Sequence, residues 1–386
     1  MKKYAYIGSL GFIGVITTEF GVIGILPQIA THYGITIDKA GWLLSAFALA
    51  IAVTGPFMTL ITSSYNRKTM MTIALALFVI TGVVSFLSPP FWLLMLVRIL
   101  PAFLQPVYIA SALSVAINGA DKSRENELMS IVFAGVAIAM VTTVPFATWL
   151  ASLHNWQYSF LVQLIVSIIA VLAIYFGLPS MPVAEPKSFG SQLRILRDPV
   201  FIISALVNLC MVSGWFSTYS YFVDYLNKAK QMDDTMVSYM MFLFGIIGVG
   251  AMWVAGKLLN KHIAGTTMFF LSGTLIVPLL LHLAGVNLMA NILVIGLWGF
   301  LYSPSFLNAS TYMISAAPGA LEFANSLSTS FGNLGVTIGT TAGGWMIAHY
   351  GVGYTPWLTF AFGLLTFALM GLRKLLLQRK VQFALQ

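Results

Sequence analysis

Twelve times along this chain an apolar run, long enough to cross the roughly 30 Å hydrocarbon layer of a bilayer, is closed off by charge, proline or glycine. The runs fall near residues 5–28, 40–62, 69–88, 91–116, 128–151 and 158–178, then near 200–226, 236–258, 265–283, 287–314, 326–348 and 354–377. Nothing else constrains the fold so tightly. A backbone in hydrocarbon has no water to bond, and a helix satisfies its N–H and C=O groups within one segment. Hydrophobic residues make up 59% of the chain and charged residues 8%, against about 25% charged in a soluble domain, which excludes a water-soluble fold. The expectation is an all-α membrane protein of twelve transmembrane helices. Met1-Lys2-Lys3 leads into an apolar run that passes Leu26 without a small-residue cleavage pattern, so the first helix is expected to stay in the membrane.

The charges orient these helices. With the N-terminus placed in the cytoplasm, the inside segments hold Lys2, Lys3, Arg67, Lys68, Lys122, Arg124, Lys187, Arg194, Arg197, Lys257, Lys261, Arg373, Lys374, Arg379 and Lys380. Only Lys39, Lys228 and Lys230 fall outside and Arg98 within a run, a strong positive-inside bias. Both termini are then cytoplasmic in a multi-pass protein of the bacterial inner membrane. The net charge of +8 reads as orientation, with no nucleic-acid partner. The polar stretch over residues 179–199, with MPVAEPKSFGSQLRILRDP at its core, divides the chain into a six-helix bundle over 1–178, a cytoplasmic linker and a second six-helix bundle over 200–386. Its part from Ser188 to Asp198 is amphipathic enough to lie along the inner membrane surface. An offset of about 196 residues sets Trp149 against Trp345 and Tyr158 against Tyr354, a weak trace of duplication.

Several motifs sit on this frame: TTEFGVIGILPQIA from Thr17 to Ala30, GWLLSAFALA from Gly41 to Ala50, and RILPA from Arg98. The loop after the second run reads TLITSSYNRK and its counterpart in the second half GKLLNK; the fifth run holds GVAIAMVTTVPFATW. Over essentially its whole length the chain resembles the major facilitator superfamily, and within it the twelve-span drug and metabolite proton-antiporter branch that includes arabinose, purine-nucleoside and multidrug exporters. The resemblance implies the major facilitator fold. It marks Arg67 and Lys68, with Lys257 and Lys261, as residues of the conformation-controlling loops. The loop pattern G-x-x-x-D-x-x-G-R-[RK] is broken at Ser63, where an acid belongs, and at Asn66, where glycine belongs; Asn260 replaces the acid in the second half. Arg98 is retained from an R-x-x-x-G pattern, with Pro101 and Ala102 where a polar residue and glycine belong. Of the antiporter pattern Gly135 and Pro145 survive.

Glu19 is the sharpest feature, since a carboxylate about 15 residues into the first run lies roughly 20 Å into the bilayer. It must be protonated, paired or facing water, which suits a proton carrier; a packing acid satisfied by Thr17, Thr18 or a neighbour answers the same constraint. Arg98 lies at similar depth, so a Glu19–Arg98 ion pair is expected, either static or tuning proton exchange as the resemblance implies. Asp224, among Tyr219, Tyr221 and Tyr225, reads as a solvated acid in an interfacial aromatic belt. Polar and aromatic residues at mid-membrane depth are candidates for substrate contact: Thr18, Gln105, Tyr108, Thr142 with Thr143, Asn208, Ser213, Trp215, Ser217, Tyr302, Asn308 and Asn333. Hydrogen bonding between helices accounts for any one of them equally well. Gly332, Gly335, Gly339, Gly343 and Gly344 form a packing stripe, and Pro101, Pro106, Pro145 and Pro304 mark kinks.

Cys210 reads as buried filler, and the five histidines show no metal-ligand spacing. No phosphate-binding loop or catalytic cluster is present, so neither an ATPase nor another enzyme is indicated and no cofactor is called for. The reading is a secondary transporter, taken as a monomer, that exports a small organic solute by proton antiport through alternating access, with Glu19 as carrier and Arg98 as modulator. One deep acid without a counterpart in the second half suits a neutral or weakly polar substrate: a sugar, a nucleoside or an amphiphilic drug. Proton-coupled or facilitated uptake is the first rival, and a non-transporting sensor or lipid-handling protein the second.

Overall fold

Every apolar run becomes helix in the computed structural model, which describes residues 2–118, 122–182, 195–318 and 321–384 and contains no strand among them. The helices are α1 (Lys2–Tyr33), α2 (Ile37–Ile61), α3 (Arg67–Phe86), α4 (Phe91–Ile117), α5 (Leu128–Leu153) and α6 (Gln157–Gly177), followed by α7 (Pro199–Tyr219), α8 (Asp234–Leu259), α9 (Ile263–Ala284), α10 (Leu288–Ile314), α11 (Leu321–Tyr350) and α12 (Val352–Gln378). Eleven are both long and apolar enough to cross a bilayer. α11 has the length, at 30 residues, but its Ser, Thr, Asn and Gly content makes it the polar exception. Two compact units form. One contains α1 to α6 together with Asp233–Gly245 of α8; the other contains α7, the remainder of α8 and α9 to α12.

Each unit is organised around its first helix. In α1, 89% of the most apolar window is buried and in α7 78%, against 22% in α12. A helix enclosed by others is apolar all round, whereas a lipid-facing one needs only one packed face. α1 packs on α4, α5 and α6; α7 packs on α10, α11 and α12. Glycine permits these approaches. A Cβ on Gly335, Gly339 or Gly343 would come within 2.8, 2.3 and 2.2 Å of the carbonyl oxygens of Leu209, Ser213 and Ser217, so the stripe on α11 runs along the backbone of α7 at four-residue steps.

Breaks in the helices follow from lost backbone donors. α4 is interrupted by a 3-10 turn at Leu100–Phe103, which contains Pro101 and is followed by Pro106 at the start of the next segment. α5 breaks at Thr142, just past Val141, whose carbonyl loses its partner because Pro145 has no N–H. α10 breaks at Ser303 and Pro304. In α1 the first segment ends at Phe20 before a 3-10 turn at Ile23–Ile25, where Pro27 gives the Ile23 carbonyl no N–H. Pro56 and Pro278 stay inside their helices.

The loop before α3 departs from the family pattern in a way that the structure explains. Asn66 caps α3, its Oδ1 accepting from the Lys68 and Thr69 amides at 3.0 and 3.4 Å. The same oxygen accepts from Met181 N at 3.4 Å, and Nδ2 donates to Ser180 Oγ at 2.7 Å. The Arg67 amide donates to the Met181 carbonyl at 3.0 Å. The start of the linker is thereby tied to the loop before α3. Residues 183–194 of that linker, with Lys187 and Arg194, lie outside the described residues, as do the side chains of Ser63, Lys122, Arg124, Arg379 and Lys380. So does most of the expected surface segment from Ser188; at its far end Ile195 packs on the Phe201, Ala205 and Met313 cluster.

Replacing Gly339 with valine is expected to lower stability by about 1–3 kcal/mol through overpacking of α7 against α11. Gly371→Ala, on a helical face where nothing lies within 4 Å, is expected to be neutral or stabilising. Thermal unfolding of the two variants in detergent compares them directly.

Candidate functional site

Glu19 lies in the last turn before the break in α1, 4% exposed. Its Oε2 accepts a 2.6 Å hydrogen bond from Nε2 of Gln105, the first residue of α4 after that helix's own break. Arg98, 1% exposed, does not form the expected direct ion pair with it. Its Nη2 instead donates to the Thr18 carbonyl at 2.8 Å, and its guanidinium lies 5.6 Å from the centroid of the Phe160 ring. Its hydrogen bond therefore goes to the backbone beside the acid. The physical reason is geometric: the side chain leaves α4 one turn before the break and meets the frayed end of α1, whose carbonyls have lost helical partners. Arg98 Nε and Nη1 and Gln105 Oε1 are buried without hydrogen-bond partners among the described residues.

The other candidates in this unit are engaged differently. Tyr108 donates to the Gly8 carbonyl at 2.8 Å and meets Phe12 edge-on at 5.9 Å. Thr18 Oγ1 donates to the Gly14 carbonyl at 3.0 Å. Thr142 is exposed, with its hydroxyl on the Ile138 carbonyl at 2.6 Å, and the adjacent Thr143 is the one that meets Thr17. Sequence reasoning overlooked Gln163, which is 1% exposed, bonds Ser159 Oγ at 3.3 Å and lies under Gly21 at the break in α1. Its position in an apolar run at mid-depth was the available signal.

In the second unit one amide and one hydroxyl bond across helices, and another hydroxyl bonds within its own helix. Asn208 Nδ2 donates to Ser328 O and Oγ at 3.1 and 3.0 Å. Ser213 bonds the Leu209 carbonyl at 2.8 Å, and Ser217 bonds Gly214 O and Thr359 Oγ1 at 2.8 and 3.0 Å. A different group keeps polar atoms free. Trp215 packs among Phe216, Tyr219, Tyr302 and Phe306 with ring centroids 5.4 to 6.1 Å apart. Its indole Nε1, Asn308 Oδ1 and Asn333 Oδ1 are buried without hydrogen-bond partners among the described residues.

The charged loops also differ from expectation. Asp224 is not a solvated belt residue: it is 1% exposed and pairs with Lys228 at 2.7 Å. α7 ends at Tyr219 rather than near residue 226, and the chain turns through Phe222–Asp224 into a π-helical turn at Tyr225–Ala229 that folds the acid inward. Lys230, counted as an outside charge, is buried on the Leu281 and Gly285 carbonyls at the end of α9. Arg373, counted as an orienting charge, is buried too and donates to Tyr312 O at 2.8 Å and Ser315 Oγ at 2.9 Å. Each puts a cation at a helix C-terminus, where the carbonyl ends favour it. Arg67 and Lys68 are half-buried, Lys68 5.4 Å from the Tyr175 ring, while Lys257 lies 3.2 Å over the ring of Trp253 on its own helix and Lys261 is exposed.

The close packing of α1 on α4 gives a test of this geometry. A Cβ on Gly11 would stand 1.8 Å from the Tyr108 hydroxyl and 2.4 Å from Cζ. Gly11→Ala is expected to destabilise by about 1–3 kcal/mol, and Tyr108→Ala in the same chain to relieve the clash, so that the double variant melts no lower than Tyr108→Ala alone.

Comparison with known proteins agrees with this architecture. Residues 8–321 match the Major Facilitator Superfamily. "Inner membrane transport protein YdhP" of Escherichia coli (strain K12) is 28% identical over 90% of this chain and 89% of its own length. The "Probable sugar efflux transporter" of Pasteurella multocida (strain Pm70) is 23% identical over 96% and 93%. Among solved structures, a point mutant of the nucleoside transporter NupG superposes with a TM-score of 0.73 at 14% identity, over 97% of this chain and 98% of that one. The D-xylose-proton symporter does so with a TM-score of 0.74 at 14% identity, over 96% of both chains. An all-helical chain of this organisation, matched over most of its length, belongs to the Major Facilitator Superfamily and is a multi-pass inner-membrane transporter, not an enzyme.

Proposed function

We propose that this transporter exports a neutral sugar-class solute in exchange for protons, with Glu19 as the proton carrier and Arg98 holding the helix end that bears it. The observation that carries the reading is the Glu19 carboxylate, buried in the first unit with an amide as its hydrogen-bond partner. A carboxylate so placed is tolerated in hydrocarbon when its charge is neutralised for part of a cycle, which is what proton exchange does. The bound proton and the solute then make alternating access a coupled exchange.

The second unit supports the substrate class. Its mid-membrane candidates are neutral: Asn308 and Asn333 offer unused carbonyl oxygens, and Trp215 offers an unused N–H beside an aromatic wall. Sugars present hydroxyls that donate and accept and C–H faces that stack on indole, so this set recognises them without a charge. The relatives named sugar efflux transporters favour the same class and the outward direction. The loops lack the acids of the family pattern at Ser63 and Asn260, and Asn66 supplies a hydrogen-bonded tie in their place.

Purified protein in detergent is expected to release protons when pentoses or hexoses are added, and Glu19→Gln to abolish the release. Trp215→Ala is expected to weaken sugar binding about three- to tenfold, the size of one aromatic stacking contact. Release on adding cationic amphiphiles but not sugars would assign a drug substrate instead. In vesicles, an imposed proton gradient driving sugar in the direction of proton flow, rather than against it, would overturn export.

A further inference from the structure

Glu19 and Gln105 occupy matching places on two interrupted helices. One ends the first segment of α1, the other begins the second segment of α4, and both are almost wholly buried. The 2.6 Å contact between Nε2 and Oε2 is the hydrogen bond made to the carboxylate among the described residues, since Arg98 directs its Nη2 to Thr18. The far end of the same amide, Gln105 Oε1, has no partner among those residues.

A carboxylate only accepts hydrogen bonds, whereas a carboxylic acid also donates one. A primary amide carries both functions on one planar group, and the terminal torsion that exchanges them is broad and roughly two-fold. With Glu19 ionised, the observed contact is the matched one, the amide N–H donating to Oε2. Once Glu19 takes up a proton, its O–H needs an acceptor. A half-turn of the Gln105 amide brings Oε1 to that place with no movement of either backbone. We infer that Gln105 is the positioning residue of proton exchange at Glu19, a turning amide that keeps the acid hydrogen-bonded in both protonation states, and is not a substrate contact. The inference rests on the reading of Glu19 as proton carrier. A side chain at this place without both functions would leave a buried group unsatisfied in one state or the other, and so bias the equilibrium between them.

Infrared difference spectra of the purified protein between acid and alkaline pH test this without a substrate. A protonated-carboxyl band present in the wild type and lost in Glu19→Gln belongs to Glu19; if Glu19→Gln removes no band, Glu19 does not titrate and both readings fall. In Gln105→Met, similar in shape but without hydrogen-bonding groups, the Glu19 band is expected to shift to the frequency of an unbonded acid. Its titration midpoint should move by about one pH unit or more, a tenfold change in proton affinity. An unmoved band and midpoint overturn the role of Gln105 and leave that of Glu19 standing. The exchanged pair Glu19→Gln with Gln105→Glu puts an acid and an amide back in contact. It is expected to restore a hydrogen-bonded carboxyl band and, with it, measurable proton release on sugar addition, even where Gln105→Met folds poorly. A band at the unbonded frequency in the exchanged pair counts against the inference.

Discussion

Hydrogen bonding in a solvent that offers none is the constraint on which this structure depends. Many hydroxyls on the helices meet it locally: Thr54, Thr59 and Thr62 donate to carbonyls one turn back, as do Ser204, Ser213 and Thr366. A hydroxyl satisfied this way can lie anywhere on a membrane helix, so its presence at mid-depth says little about ligands. Five charged or amide side chains instead find their partners on another helix. They are found where a neighbouring helix frays, at the breaks in α1 and α4 for Glu19, Gln105 and Arg98, and at the ends of α9 and α10 for Lys230 and Arg373.

The same constraint explains how the two core helices are held. α7 meets α11 backbone to backbone along the glycine stripe, and the contact is locked by side chains that bond across it: Asn208 to Ser328, Ser220 to Thr340 and the Tyr221 hydroxyl to the Thr340 carbonyl. On its other side Thr359 of α12 bonds Ser217, Thr218 and the Gly214 carbonyl. Without a hydrophobic drive between helices in lipid, association depends on such close approach and shared polar contacts. α1 uses fewer of them and more interlocking of shape, with Gly11 under Tyr108 and Gly24 under Thr148.

Helix positions could be read from the sequence because they depend only on distance along the chain. Rotation about a helix axis and the tilt between helices depend on all the neighbours, and every misplaced expectation involves one of these. Arg98 shares the depth of Glu19, yet it points at the Thr18 carbonyl, while Gln105, two turns further along α4, meets the carboxylate. Asp224 and Tyr221 look alike in an aromatic run, but the turn after Tyr219 buries both, and periodicity carries no sign of that turn. Charge bias assigns Arg373 and Lys230 to a side of the membrane; their burial depends on the nearness of another helix's end, which that bias does not carry. At Asn66 the departure from the family pattern was visible, and only its bonds to Ser180 and Met181 show what the change supplies.

Arg98 and Gln105 grip the same turn of α1 in different ways, and the difference bears on how a proton could leave. Arg98 holds the backbone at Thr18, a carbonyl whose bonding is indifferent to the charge of the next side chain. Gln105 holds the carboxylate itself. In the proposed exchange, a charge fixed by the backbone would keep a constant field over the acid, while a turning amide would keep the acid in place in both protonation states. Had the guanidinium gripped the carboxylate directly, protonation would break a buried ion pair and strand the arginine. With the backbone as its anchor, Arg98 stays bonded whether Glu19 is charged or neutral.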